Sequence, residues 1–278
     1  MYSFARKPVW LAGHALAGGL LVIFVIAGFW QLSRHNEVSD RNAAITERQD
    51  MQPLEAGRFF EAVADSESLD QLEYRTVILP VERFDWDENV LIRNRSLDGL
   101  PGCHIALPAA ATSDDSAEPL GVLLVAGWLP QQTCEPQTGS EARVWATRLT
   151  EPSLVAGRIR LSQERGWLGP SDPDQGQLES LARTDVERID EQTTLDLMPL
   201  YVEVVSATRS DGVRLALGRT LADGTPAPVP LRPPELNAGP HLGYTVQWFS
   251  FAAVAIVGYT LVLRHQARKG ESEQIADD

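Results

Sequence analysis

The chain has long apolar runs near both ends and short alternating runs between them. Residues 8–33 carry no charge between Lys7 and Arg34, and residues 236–263 carry none between Glu235 and Arg264. Their apolar centres fall at residues 20–29 and 249–263. Each run exceeds the roughly 20 residues a helix needs to cross a bilayer. Each also exceeds a usual signal-peptide hydrophobic region. The pattern therefore predicts transmembrane helices over residues 9–32 and 241–263. Val25-Ile26-Ala27 has the small-residue spacing of a signal-peptide cleavage site, but the helical pattern continues through Gly28-Phe29-Trp30-Gln31.

After the first span, "RHNEVSDRNAAITERQ" reads as a helix leaving the membrane surface, broken at "DMQPLEAG" by Pro53 and Gly57. "FFEAVADSESLDQL" predicts a short helix. Residues 74–84, 89–95, 104–109, 121–129, 154–161 and 200–207 have strand composition. The stretch 121–129 is apolar on both alternating faces apart from glycine, so it belongs inside a sheet rather than at its edge. In "LDGLPG", Gly99 and Gly102 bracket Pro101 in a turn between two strands. "TDVERIDEQTTLDLM" predicts a helix capped by Thr184 or Asp185, with Val186, Ile189, Thr193 and Leu197 on one face. Long polar loops are expected at 112–119, 130–143 and 164–177, and a proline-rich, semi-extended tether at 222–240.

The expected fold is that of an α+β membrane protein. Two transmembrane helices flank one β-rich domain, barrel-like or sandwich-like, with one or two helices of its own. A short N-terminus occupies residues 1–8, the domain residues 33–236, and a tail residues 264–278.

Charge orients this frame. Arg6 and Lys7 precede the first span, and Arg264, Arg268 and Lys269 follow the second. The positive-inside rule then places both termini in the cytoplasm and the domain on the far side. No Arg- and Ser-rich transit peptide precedes the first span, so a bacterial plasma membrane is the simpler home. The net charge of −14 argues against nucleic acid as a partner. Lysine occurs only at Lys7 and Lys269, which excludes a Schiff-base or P-loop lysine in the middle of the chain.

Cys103 and Cys134 are the two cysteines. In an exported segment a disulfide between them can persist, and two free thiols are the alternative. There is no C-x-x-C for thiol redox or paired-cysteine copper chemistry, and no C-x-x-C-H for covalent haem.

Catalytic groups are sparse. The exported histidines are His35 and His104, and no G-x-S-x-G accompanies them. Cys103 with His104 offers only part of a zinc ligand set. Asp85, Asp87 and Glu88 read as a solvated acidic turn. An exported hydrolase or metalloenzyme built on Cys103 and His104 stays as one alternative.

The spans carry their own candidates, since an ionisable group inside a membrane helix is a functional hypothesis by default. His14 lies near the inner end of the first span and His241 near the outer end of the second. At 1.5 Å per residue their depths differ by roughly 25 Å, too far to share a metal. His14 is expected as a polar contact near Trp10. His241, Tyr244 and Trp248 form one helical stripe with Thr245 beside it, and Gln247 and Phe251 form a flanking one. An aromatic belt accounts for Tyr244 and Trp248 but asks for neither His241 nor Gln247. A histidine above two aromatic rings can also ligate a haem iron. Both readings stay open on spacing alone.

Several motifs occur together in order: "FWQLSR" (29–34), "YRTV" (74–77), "NRSLDGLPG" (94–102) followed by Pro108, "GWLP" (127–130) and "HLGYTVQWFSFA" (241–252). This order resembles the surfeit locus protein 1 family, membrane assembly factors of cytochrome c oxidase. The resemblance covers nearly the whole chain. It implies a non-catalytic role in building the oxidase's haem–copper centre, with haem a as a transient cofactor. It also implies the catalytic oxidase subunit and haem a synthase as partners, besides the lipid bilayer. The family's proposed haem contact falls on His241, whose imidazole would ligate the iron. Tyr244, Trp248 and Gln247 would flank the haem, and Arg34 sits at a depth to pair with a propionate. Trp30, Gln31 and Arg34 match the first-span motif; Asn94, Arg95, Gly99, Gly102, Gly127 and Trp128 match the domain motifs. The chain departs from the pattern at Val125-Ala126, where Asn-Arg is usual, and at Pro80-Val81-Glu82, where a glycine is expected. The Cys103-His104 pair is also outside the pattern. A membrane-tethered scaffold without cofactor is the remaining alternative.

Overall fold

The computed structural model describes residues 3–65, 69–113, 118–134, 153–163, 171–214, 217 and 228–276. The chain divides into two units, one of residues 1–44 with 235–278 and one of residues 45–234.

The first unit is built on two long helices, α1 (Pro8–Asp50), whose last residues belong to the second unit, and α5 (His241–Ala276). Both are long and apolar enough to cross a membrane. Their outward side chains are apolar: Val22, Ile23 and Ile26 on α1, and Val254, Ile256 and Val257 on α5, are all exposed. In water such surfaces would be an association hazard; in lipid they are satisfied. The helix expected beyond the first span is continuous with it and ends at the expected break before Pro53. α1 runs on to Asp50, because no Gly or Pro lies between Gly28 and Pro53 to interrupt its ladder.

The second unit is β-rich. Its strands are β1 (Leu54–Glu55), β2 (Thr76–Phe84), β3 (Val90–Leu97), β4 (Leu100–Ala111), β5 (Leu120–Pro130), β6 (Ser153–Leu161), β7 (Ser180–Leu181) and β8 (Leu197–Arg209). They form one sheet ordered β1-β2-β6-β8-β5-β4-β3-β7, with a further β2–β4 pairing. That pairing closes β2, β6, β8, β5 and β4 into a barrel, which removes the open edges of those strands. β4 shares one of its edges. Its first half, from Leu100 to Ala106, carries β3, and its last residues, Ala109 to Ala111, carry β2. β5 lies between β4 and β8 and is buried over almost its whole length, as its two-sided apolar pattern predicts.

Inside the barrel lie Val77, Leu79, Ile105, Leu107, Val122, Leu124, Val155, Ile159, Leu200 and Val202. The helix α2 (Ala56–Ala64) adds Ala56, Phe59, Phe60 and Val63 to this core, at the i, i+3, i+4, i+7 spacing of one helical face. The single turn α3 (Leu69–Leu72) adds Leu72. A second apolar cluster forms on the opposite face of the sheet. There Val90, Ile92, Ala106, Leu123, Val125 and Tyr201 meet Leu181 and the helix α4 (Val186–Asp190) through Val186 and Ile189.

Several local expectations change. The β3–β4 turn is the tight pair Asp98-Gly99, both with positive φ, and Pro101 and Gly102 already belong to β4. Gly57 lies in the first turn of α2 instead of ending a helix. The segment expected as one short helix at 59–72 forms α2 and α3, with residues 66–68 outside those described. α4 is capped by Asp185, whose side chain accepts from Arg188 N, but it stops at Asp190. The Asp190 carboxylate accepts from Leu197 N at 2.6 Å, and Leu197 enters the ladder opposite Gly121. Thr193 and Leu197 are therefore not helical. Parts of the expected loops at 112–119, 130–143 and 164–177, and of the tether at 222–240, lie outside the described residues. Cys103 and Cys134 are joined in a disulfide with their Cα atoms 6.0 Å apart.

Candidate functional site

The two long helices meet along a seam of small and aromatic residues. Gly28 lies against Phe249: a Cβ there would stand 2.8 Å from the ring. Phe29 meets Phe249 at a centroid distance of 5.3 Å, and Phe24 meets Trp248 and Phe251 at 5.9 and 5.7 Å. Ala252 and Thr245 are buried, and the Thr245 hydroxyl donates back to His241 O at 3.0 Å.

A polar contact closes each end of this seam. At one end Tyr259 donates its hydroxyl hydrogen to His14 Nδ1, while His14 Nε2 donates to Ala5 O at 3.2 Å. Trp10 lies 6.5 Å from the His14 ring, so His14 is the polar contact the sequence suggests. At the other end His241 Nδ1 donates to the side-chain carbonyl of Gln31, 2.9 Å away. Antiparallel helices place His14 and His241 at opposite ends of the pair, too far apart to bind one ligand.

The bond to Gln31 defines the tautomer of His241. With Nδ1 protonated and engaged, Nε2 carries the lone pair and has no hydrogen-bond partner among the described residues. A histidine held in this way is the usual form of a metal ligand. The described residues contain no group of three or more His, Cys, Asp or Glu side chains placed to hold a metal ion. One imidazole nitrogen is what a cofactor that brings its other ligands, such as a haem, would need from the chain.

The other predicted contacts divide. Trp248 packs in the seam against Phe24 and Phe251. Tyr244 is 47% exposed and Gln247 is exposed, so they lie away from the seam that Trp248 enters. Trp30 is also exposed. Arg34 pairs with Glu37 at 2.7 Å, and any propionate would compete with that carboxylate.

In the β-rich unit the scattered motif residues converge. Tyr74 takes a left-handed backbone conformation, donates its N–H to Ile159 O at 2.8 Å, and receives the Arg160 guanidinium 4.7 Å above its ring. Asn94 is left-handed as well, at a register shift between Ile92 and Arg95 that re-aims Arg95. Gly102 pairs with Arg95, and Trp128 crosses Gly102 so that its indole N–H reaches Arg95 O at 3.4 Å. A Cβ on Gly102 would lie 2.5 Å from Trp128 Nε1. Gly127, with φ of 145°, lets Val229 come against β5, and Trp128 and Val229 exchange two backbone hydrogen bonds at 2.8 Å. The unusual Val125-Ala126 fills core on both sides of β5: Val125 joins the outer cluster and Ala126 the barrel interior. Val81, in the other departure, is buried in the barrel.

Cys103 and His104 do not form a catalytic pair. Cys103 is in the disulfide and faces the barrel interior, while His104 is on the opposite face of β4. Burial, aided by the charge of Arg95, pushes His104 down to about 4. The same outer face carries, on β6 and β8, a polar network absent from the motifs. Glu203 accepts from Arg158 and Arg160, each at 2.9 Å, and Arg160 reaches Glu73 at 3.3 Å. Burial opposes the Arg160 charge, but Glu203, Tyr201, Tyr74 and Glu73 outweigh it and raise its pKa. Tyr201, pushed up to about 12 by burial, stays protonated and accepts from Gln163 Nε2 at 3.1 Å. Outward-facing strand positions were the available signal for Arg158, Arg160, Tyr201 and Glu203. Asp85, Asp87 and Glu88 line a shallow surface depression in which Arg83 holds Asp85 at 2.8 Å.

No curated protein matches the chain closely enough to count as a relative. A family model, that of the SURF1 family, matches residues 19–253, from inside α1 to inside α5. The match therefore takes in the seam, Gln31, His241 and the whole β-rich unit. The chain belongs to the SURF1 family, known for assembly factors of cytochrome c oxidase.

Proposed function

We propose that this protein is a membrane-anchored assembly factor of cytochrome c oxidase that holds haem a in passing to the catalytic subunit. His241 Nδ1 bonded to Gln31 Oε1 carries the reading, because it orients an imidazole at one end of a membrane helix with Nε2 available. Haem a would supply an iron able to take one such nitrogen as an axial ligand. The chain's part is to hold the imidazole in one tautomer and one orientation.

α1 and α5 cross a bacterial plasma membrane with both termini in the cytoplasm, and the β-rich unit lies outside it. The Cys103–Cys134 disulfide supports that side, since oxidising compartments preserve such bonds. The catalytic oxidase subunit and haem a synthase are the partners, and the protein carries out no turnover itself.

The test is purification of the full chain from cells making haem a, with His241→Ala beside it. The wild type is expected to carry haem with an axial-histidine spectrum and the variant to lose it. Identical haem content and spectrum in both would overturn the ligand assignment. A cofactor-free scaffold would instead leave both proteins without haem while deletion still lowers oxidase yield.

A further inference from the structure

On the outer face of the sheet, Arg95 is half-buried, and the described groups that interact with it, Gln163, Ala182, Tyr201 and Arg183, are neutral or cationic. Its hydrogen bonds to described residues both leave from Nη2, to Gln163 Oε1 and Ala182 O, each at 3.3 Å. Neither acceptor is charged. From the surrounding elements, β4 presents His104, β8 presents Tyr201, and the residue after Ala182 is Arg183. Burial, chiefly, acts against the Arg95 cation; Tyr201 offsets part of this, and the charge of Arg183 adds to it.

Three described carboxylates of this face are engaged elsewhere. Glu203 is held by Arg158 and Arg160, and Glu73 by Arg160. Asp172 takes Arg93 on one oxygen and Ala182 N, at 2.9 Å, on the other. Arg95 thus has no carboxylate partner among the described residues. A guanidinium moved part-way out of water without a counter-charge is unfavourable, and it stays protonated throughout the working pH range. An incoming anion would supply the missing charge.

We infer that Arg95, flanked by Gln163 and Tyr201, is a receptor for a carboxylate on the outer face of the barrel. A guanidinium offers two parallel N–H donors that match the two oxygens of a carboxylate. The Gln163 amide and the Tyr201 hydroxyl add neutral polar groups beside it. Trp128 completes the site from the other side by fixing the backbone of Arg95 through its indole N–H. The carboxylate comes either from an acidic side chain or C-terminus of a partner protein, or from a small molecule.

The hydrogen bond from Trp128 to Arg95 provides a reporter. The full chain, labelled with 5-fluorotryptophan and placed in lipid nanodiscs, is titrated with sodium acetate against sodium chloride at constant ionic strength. The Trp128 resonance is assigned through Trp128→Phe. It is expected to shift saturably with acetate and not with chloride, to lose the response in Arg95→Gln, and to keep a weaker one in Arg95→Lys. An equal response to chloride, or an unchanged acetate curve in Arg95→Gln, would overturn the site. Recovery of the oxidase catalytic subunit with the protein from solubilised membranes separates the two sources. A drop of about fivefold or more in Arg95→Gln identifies a protein carboxylate, and unchanged recovery with the acetate response lost identifies a small molecule. His241→Ala should leave the acetate curve intact, so failure of the haem reading and failure of this one are distinguishable.

Discussion

Gln31 and His241 stand 210 positions apart in the chain and share one hydrogen bond, from Nδ1 to Oε1, at 2.9 Å. An outer partner of a ligating histidine typically contributes 10–100-fold to metal affinity. Gln31→Leu is therefore expected to weaken haem retention by roughly that factor while leaving His241 in place. Gln31→Glu keeps an acceptor and should retain most of the binding. Haem titration of the purified full chain checks both, and equal retention in all three proteins would remove Gln31 from the site.

Glu203, only 6% exposed, is shared by two arginines, one of them buried. Glu203→Gln leaves both cations underpaired and should destabilise the β-rich unit by about 3–5 kcal/mol. Thermal unfolding of the full chain in nanodiscs should show a midpoint about 10 °C lower. Replacing Arg158 and Glu203 together by Met and Leu should be milder than Glu203→Gln alone, because no unpaired charge is left at Arg158. An unchanged midpoint in Glu203→Gln would show that the network adds nothing to stability.

His104 makes stability depend on pH. Its pKa in the folded chain is lowered to about 4, chiefly by burial, from 6.5. The unfolded chain therefore binds the proton more readily between those values. The contribution is complete above pH 6.5 and is lost as pH falls toward 4, with roughly 2–3 kcal/mol at stake. His104→Asn should flatten this part of the stability profile. A wild-type curve that stays level from pH 7 to 4 would contradict the assignment.

The Cys103–Cys134 bond closes a loop with a sequence separation of 31. Chain-entropy reasoning gives about 3–4 kcal/mol for a loop of that length. Cys134→Ser should lower the thermal midpoint, and reduction of the wild type should reproduce the shift. A variant unaffected by reduction and as stable as the oxidised wild type would show that the bond adds no stability.

Much of the fold was readable because its six longer strands alternate or run apolar as their burial demands. β5 was legible as a central strand from residues 121–129 alone. The two-residue strands β1 and β7 were not, since two residues carry no period. The end of α4 was misread because Asp190, Gln192 and Thr193 bond backbone groups beyond the helix, and Leu197 gains more from the ladder beside Gly121 than from another turn. The motif residues pointed to Arg95, Gly102 and Trp128 separately, but their convergence depends on strand pairing. Helical spacing grouped His241 with Tyr244 and Trp248, whereas the seam selects His241, Thr245 and Trp248. Only the partner helix could supply that choice, and with it the role of Gln31.

The polar contacts at the two ends of the helix pair act together as a gauge of alignment. His14 and Gln31 on one helix face Tyr259 and His241 on the other, at nearly equal separations along the chain. One residue inserted between His14 and Gln31 would turn everything beyond it by about 100° and advance it by 1.5 Å. Either contact could then form, but not both. The apolar seam alone tolerates sliding, as lipid-facing hydrocarbon gives it little to choose between neighbouring positions. Two hydrogen bonds at fixed spacing turn that smooth surface into a notched one, so that the imidazole of His241 is held at a single depth.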